Sequence, residues 1–147
     1  MALTHVTPDG QARMVDVGAK PIMHRQAVAG GKIFLRPDTL KLIRENGIQK
    51  GDVLAVARVA GISGGKKTAE LIPLCHNIPI DRIDLDISLR SDHVEIIARA
   101  SCQARTGIEM EALTAATVAA LTIYDMCKAV DHEMVIGEIR LLEKTKS

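Results

Sequence analysis

Aromatic residues are almost missing from this chain of 147 residues: there is no tryptophan, and Phe34 and Tyr124 stand alone. Single-strand nucleic-acid binders stack bases on aromatic rings, so that class is disfavoured. Net charge is nearly missing too. Nineteen basic side chains against 18 acidic ones leave +1, which gives no pull toward nucleic acid or an anionic membrane. Cysteine is scarce: Cys75, Cys102 and Cys127 are odd in number and lack CxxC spacing. That argues against a disulfide framework or a cysteine-rich zinc site and fits a reducing, cytoplasmic compartment. The histidines, at 5, 24, 76, 93 and 132, are scattered, so no local metal-binding motif is present. No apolar run is long enough to span a bilayer. The segment Met1–His5 lacks the basic-then-apolar order of a secretory signal. What remains is ordinary for a globular protein, with 47% hydrophobic and 25% charged residues. The length suggests one domain, residues 1–147, able to bury a real core.

Along the chain, residues 1–30 read as irregular, with a turn at Pro8-Asp9-Gly10, a short extended piece at Met14–Val17 and a break at Gly30-Gly31. Lys32–Arg36 reads as a strand. Pro37-Asp38 opens a short helix that Asn46-Gly47 stops. Asp52 is placed to cap a second helix, Val53 to about Leu71, despite Gly61, Gly64 and Gly65 inside it. Ile83, Leu85, Ile87 and Leu89 alternate with polar residues as one strand. After a turn at Ser91-Asp92, Val94 to Cys102 returns as another. A long helix follows, about Glu109 to Val130, then a strand, about Met134 to Glu143, with Val135, Ile139 and Leu141 on one side. The order is strand, helices, strand, strand, helix, strand. It predicts an α+β fold of the ferredoxin-like split βαβ type, an antiparallel sheet with helices on one face.

The long helix carries the most information. Ala112, Ala116, Ala119, Ile123, Met126 and Val130 form a core-facing seam, and Ala115 and Ala120 widen a small-residue surface that another helix could approach closely. Its start holds Glu109 and Glu111, and its end holds Asp125 and Lys128 at i and i+3, neighbours on a helix surface. At 1.5 Å per residue, Glu111 and Asp125 lie about 21 Å apart along the axis, so one helix cannot bring both to one reacting centre. An antiparallel copy from a second subunit can. The plainer alternative is that these charges only complement the helix dipole.

Cys75-His76 forms a second constellation, in the apolar, Pro-bracketed run Leu71–Pro79. If the run is extended, the two side chains point to opposite sides, so they do not form a thiolate–imidazole pair. A buried cysteine beside a hydrogen-bonded histidine is the simpler alternative. The third is basic. Lys50-Gly51-Asp52 stands at the mouth of a helix, where phosphate is attracted. Gly61–Thr68 looks like a phosphate loop but has Lys66 where the second glycine belongs. Lys20 and Arg25 fall in the irregular N-terminal stretch, where they read as surface residues able to add phosphate contacts.

Five ordered segments, Met14–Val17, Lys50–Val53, Leu71–His76, Thr106–Thr114 and Tyr124–Val130, together resemble the MoaC family of molybdenum cofactor biosynthesis. The resemblance covers nearly the whole chain. It implies a ferredoxin-like subunit in a homohexamer, a trimer of dimers with active sites at the dimer interface. It implies a lyase that converts (8S)-3′,8-cyclo-7,8-dihydroguanosine 5′-triphosphate to cyclic pyranopterin monophosphate and pyrophosphate. Carried over by motif, it makes Asp125 and Lys128 the catalytic pair with Lys50 as a further functional lysine. Leu74, Cys75, His76, Met110 and Glu111 would line the substrate site, and Lys66, Lys20 and Arg25 match basic positions. It implies no redox cofactor and no resident metal, with Mg²⁺ only as a companion of the triphosphate. Two departures stand out. Gly64-Gly65 replaces two alanines usual in the family, and relatives usually continue beyond the position of Ser147 into a glycine- and lysine-rich tail, a natural cover for substrate. The rival expectation from another class is a catalytically silent, ferredoxin-like oligomerisation or ligand-binding module.

Overall fold

The computed structural model describes residues 4–147; Met1–Leu3, part of the segment read for a secretory signal, lie outside the described residues. Four strands, β1 (Met23–Phe34), β2 (Ile80–Leu89), β3 (His93–Ala104) and β4 (Val135–Lys146), form one sheet in the order β2-β3-β1-β4. All neighbours are antiparallel. β1 and β2 therefore run parallel with β3 inserted between them, and β3 and β4 do so with β1 between them. This is the split βαβ topology expected from the order of elements. The helices are α1 (Pro37–Arg44), α2 (Val53–Lys66), the single turn α3 (Thr68–Leu71) and α4 (Glu109–Cys127). α2 and α4 pack on each other and on one face of the sheet.

Strand β1 begins nine residues earlier than the expected Lys32, and Gly30-Gly31 lies inside it rather than breaking it. The reason is in β4. Glu138 takes a positive φ of 52°, and the β1–β4 register shifts between Gly30 and Lys32. This bulge bends the edge strand and drops the Ile139 side chain onto Gly31, where a Cβ would lie 2.5 Å from Ile139 Cδ1. The same bulge upsets the simple alternation expected for the last strand. Val135 pairs with Phe34, on the opposite face from Ile136, which pairs with buried Ile33. Val135 therefore does not share a side with Ile139 and Leu141.

The core is small-residue rich. Ala27, Ala29, Ala98 and Ala100 of the sheet meet Ala112, Ala116, Ala119 and Ile123 of α4, all buried. Asp52 caps α2, its Oδ1 accepting from Ala55 N at 3.1 Å, an interaction of about 1 kcal/mol. The three glycines do not break α2; they let it sit against α4. A Cβ on Gly61 would lie 2.9 Å from the Ala115 carbonyl oxygen, and one on Gly65 3.2 Å from that of Glu111. The helix stops at Lys66, and Lys67 separates it from α3, so the long reading to Leu71 merged two helices. α4 likewise ends at Cys127 rather than Val130, which is exposed.

Candidate active site at the two ends of one helix

The C-terminal end of α4 holds a compact charge triad. Asp125 Oδ1 accepts from Lys128 Nζ at 2.7 Å, and its Oδ2 accepts from Lys50 Nζ at 3.0 Å. Lys50 also donates to the Asp125 carbonyl at 3.1 Å. The α1–α2 connection delivers Lys50 here, and one helical turn delivers Lys128. The hydrogen bond from Lys128, then that from Lys50, holds the Asp125 carboxyl below its ordinary range. The same contact raises Lys128. All three side chains are about half exposed, so the charges are not buried within this subunit. A lysine meant to exchange protons near neutrality needs its pKa lowered, and in the single chain it is shifted the other way. Burial, or additional cations, would have to reverse that.

The N-terminal end of α4 opens into a cavity of about 470 Å³ lined by Val15, Val17, Lys20, Leu74, Cys75, His76, Met110 and Glu111, among others. Glu111 is 3% exposed, and burial raises its carboxyl pKa, its own backbone hydrogen bond only partly opposing this. A buried carboxylate that faces a polar cavity is a candidate proton carrier. His76 Nε2 lies 2.5 Å from the Val15 carbonyl. A carbonyl only accepts, so Nε2 carries a hydrogen, and in the neutral ring Nδ1 is then the acceptor. Thus the Met14–Val17 segment, read as extended and one of the five that carry the resemblance, meets the His76 ring and sets its neutral tautomer. Burial, with Glu111 and Glu109 nearby, raises the Cys75 thiol, which disfavours the thiolate a nucleophile requires. Cys75 and His76 line the same cavity, contrary to the opposite-sides expectation, because residues 75–79 form an irregular loop rather than a strand.

A groove of about 320 Å³ continues from Thr106 and Gly107 past Lys20, Arg25, Lys144 and Lys146. Arg25 is not a surface residue of an irregular segment. It belongs to β1, is 5% exposed and donates to the carbonyls of Ala104 and Arg105 at 3.4 and 3.2 Å. With five N–H donors on the guanidinium, part of it stays free to meet an anion in the groove. Lys66, exposed at the end of α2, lines neither space.

The Ala-rich surface of α4 is not free for a second copy of the helix, because α2 and the sheet cover it: Ala112, Ala115, Ala116, Ala119 and Ala120 are all fully buried. A different stripe is open. Leu121 and Tyr124 are exposed and Thr114 and Thr117 half-buried, and no charged residue lies between Glu111 and Asp125. A larger hollow of about 530 Å³ on the open sheet face is lined by Arg82, Asp84, Asp86 and Arg99. Its charges are already matched, Arg82 to Asp84 and Arg99 to Asp86, each at 2.6 Å, so it offers little to an anionic substrate. Among the described residues no group of three or more His, Cys, Asp or Glu could hold a metal ion, and no helix is long and apolar enough to cross a membrane.

Residues 14–147 match the MoaC family. This chain belongs to that family. It is 58% identical to the cyclic pyranopterin monophosphate synthase of Thermomicrobium roseum over 97% of this chain and 87% of the relative. It is 52% identical to the synthase of the same name from Peptoclostridium acidaminophilum, over 99% and 92%, and 57% identical to that of Magnetococcus marinus, over 97% and 89%. In the sequence Lys144 carries no signal, and Glu109 reads as one of an acid pair at the start of α4 or, more plainly, as a complement to the helix dipole. In the structure Lys144 Nζ lies 3.3 Å from Glu109 Oε1, and both line the groove. The unexpected cation-to-carboxylate pairing between β4 and α4 had no sequence signal, since 35 residues separate the two.

Proposed function

We infer that this chain catalyses conversion of the cyclised guanosine triphosphate (8S)-3′,8-cyclo-7,8-dihydroguanosine 5′-triphosphate to cyclic pyranopterin monophosphate and pyrophosphate, as a cytoplasmic lyase of molybdenum cofactor biosynthesis. The observation that carries this reading, beside family membership, is the division of the candidate residues between two ends of α4. One end supplies Lys50, Asp125 and Lys128; the other supplies a cavity with His76, Cys75, Leu74, Met110 and Glu111.

Two subunits join these halves. If α4 packs antiparallel on its copy along Thr114, Thr117, Leu121 and Tyr124, with the two-fold axis near Val118, Asp125 and Lys128 of each chain fall beside Met110 and Glu111 of the other. An isologous contact of this kind builds two identical composite sites. Val56 and Val59 of α2, exposed on the helical layer, extend the apolar surface that such a contact would cover. Covering it also removes water from Lys128, which works against the upward shift that Asp125 imposes in the lone chain. Three such dimers give the hexamer.

Each part then has work to do. Lys20, Arg25, Lys144 and Lys146 form a cationic channel for the triphosphate and its companion Mg²⁺; Lys66, outside both spaces in one subunit, would add charge only where a second subunit brings it to the site. Rebuilding a purine into a pterin opens and closes C–N bonds, so protons must be given and taken at several atoms. Glu111, His76 through Nδ1, and Lys128 oriented by Asp125 are the groups placed to do so. Closing the cyclic phosphate expels pyrophosphate, whose charge the same channel holds. No oxidation state changes, so no redox cofactor is required. Incubation of the purified protein with the cyclised triphosphate tests this. Formation of cyclic pyranopterin monophosphate and pyrophosphate in equal amounts, followed by mass spectrometry, is expected, and binding without turnover would favour the silent module.

A further inference from the structure

We propose that Asp131, a buried carboxylate outside both half-sites, is a positioning residue that holds Lys128 and Lys50 in register with Asp125. It rests on the functional reading above. The argument begins at α1, whose N-cap residue, Arg36, provides no side-chain cap. The cap comes from 95 residues away: Asp131 Oδ2 accepts from Arg36 N at 3.0 Å and from Thr39 Oγ1 at 2.8 Å. Its other oxygen accepts from Glu133 N at 2.9 Å. Asp131 is 1% exposed. Burial by itself would raise its carboxyl, but these hydrogen bonds, with the nearby Arg36 charge, outweigh it and the net shift is downward. The Arg36 guanidinium also donates to the Val130 carbonyl.

Asp131 is joined to the functional lysines by short, rigid pieces of chain. On its N-terminal side lies the turn Lys128–Val130, closed by bonds from Val130 N and Asp131 N to the Cys127 carbonyl at 3.0 and 3.1 Å. Cys127 is fully buried. The turn that carries Lys128 is thus fixed at both ends, by Cys127 in the core and by Asp131 on α1. On the other side, α1 leads after two turns to buried Ile48 and then Lys50. One carboxylate therefore ties together the two segments whose lysines meet at Asp125. A lysine reaching across 75 residues to one carboxylate oxygen is sensitive to small shifts of either segment. A helix cap alone would not need to come from the turn beside Lys128.

The test compares Asp131→Asn and Thr39→Val with Ile87→Val, a core substitution in β2 that costs stability and lies outside the hydrogen bonds of Asp131. Asp131→Asn keeps the shape but turns an NH₂ toward a backbone donor. It should lower kcat about tenfold or more with KM within about twofold, and Thr39→Val should do the same more weakly. Ile87→Val should leave kcat unchanged at a comparable loss of Tm. The second readout does not depend on turnover: NMR titration of ¹³Cε-labelled lysines should show Lys128 moving back toward its ordinary value in Asp131→Asn. If Asp131→Asn loses only Tm, with kcat and the Lys128 titration as in wild type, Asp131 is a structural cap and the proposal is wrong. If that variant does not fold, Thr39→Val decides by the same two readouts. A wild-type protein that fails to turn over the triphosphate would overturn the functional reading, and the lysine titration would still decide the role of Asp131.

Discussion

Lys50 Nζ sits 3.0 Å from Asp125 Oδ2 across a sequence separation of 75 residues. Asp125 thereby answers to two lysines, one from its own helix and one from the connection between α1 and α2. The carboxylate is a shared acceptor, one oxygen for each lysine.

The proposed function assigns chemistry and phosphate capture to different residues. Lys128→Ala should lower kcat by at least about a hundredfold, the scale of a lost acid–base group, with substrate binding largely intact. Arg25→Ala or Lys66→Ala should mainly raise KM, with Arg25 the larger because it lies in the groove, which Lys66 does not line. Steady-state kinetics on the three variants decide it. A pure KM effect from Lys128→Ala would move the catalytic assignment to Lys50.

His76→Ala should impair kcat strongly, because it removes the Nδ1 acceptor that the Val15 carbonyl fixes in place. Cys75→Ser should cost far less. The two residues share a cavity, but the Cys75 thiol is shifted away from thiolate by burial and by Glu111 and Glu109. Total loss in both variants would instead favour a thiol nucleophile.

Glu111 links activity to stability. Its folded carboxyl pKa is raised by burial, so the native state favours the protonated form more than the unfolded chain does. The associated stability is complete below the ordinary glutamate range and is lost as pH rises through the raised native pKa. Glu111→Gln should therefore increase Tm at pH 8 relative to wild type, with the difference shrinking as pH is lowered, while turnover falls. Thermal melts from pH 4 to 8 measure this. A Tm that falls on substitution at pH 8 would mean Glu111 is held by partners that favour its charge.

The glycines of α2 make a packing prediction. A Cβ on Gly64 would lie 2.7 Å from Val118 Cγ2, and Val118 belongs to α4. Gly64→Ala should cost about 1–3 kcal/mol, the usual range for overpacking. Adding Val118→Ala should recover part of that loss, a coupling that denaturant melts of the two singles and the double can measure. Additive losses would show that the helices do not touch there.

Much of this was legible in sequence where one element decides the outcome. The alternation of Ile83, Leu85 and Ile87, the Asp52 cap and the i, i+3 spacing of Asp125 and Lys128 are local signals, and the split βαβ order followed from them. Distant partners decided what was missed. Gly30-Gly31 reads as a break until the Glu138 bulge sets Ile139 over it. Arg25 reads as surface until β1 is paired with β3. The alanine face of α4 reads as an interface until α2, thinned by its glycines, fills it. Gly64 in place of a usual alanine leaves room for the bulk of Val118. Lys50 joining Asp125, Lys144 joining Glu109 and Asp131 capping α1 are all contacts at long sequence range, which no spacing rule reveals.

The central claim is that each active site is shared between two subunits, and mixing two inactive variants tests it most directly. His76→Ala and Lys128→Ala proteins, each inactive alone, are dissociated together, allowed to reassociate and assayed for cyclic pyranopterin monophosphate. In a mixed dimer one site receives intact His76 from one chain and intact Lys128 from the other, and the second site receives both defects. With random pairing and two-fold symmetry, about a quarter of wild-type activity should return. If no activity returns although mixed dimers form, His76 and Lys128 act within one chain, and the shared site is contradicted.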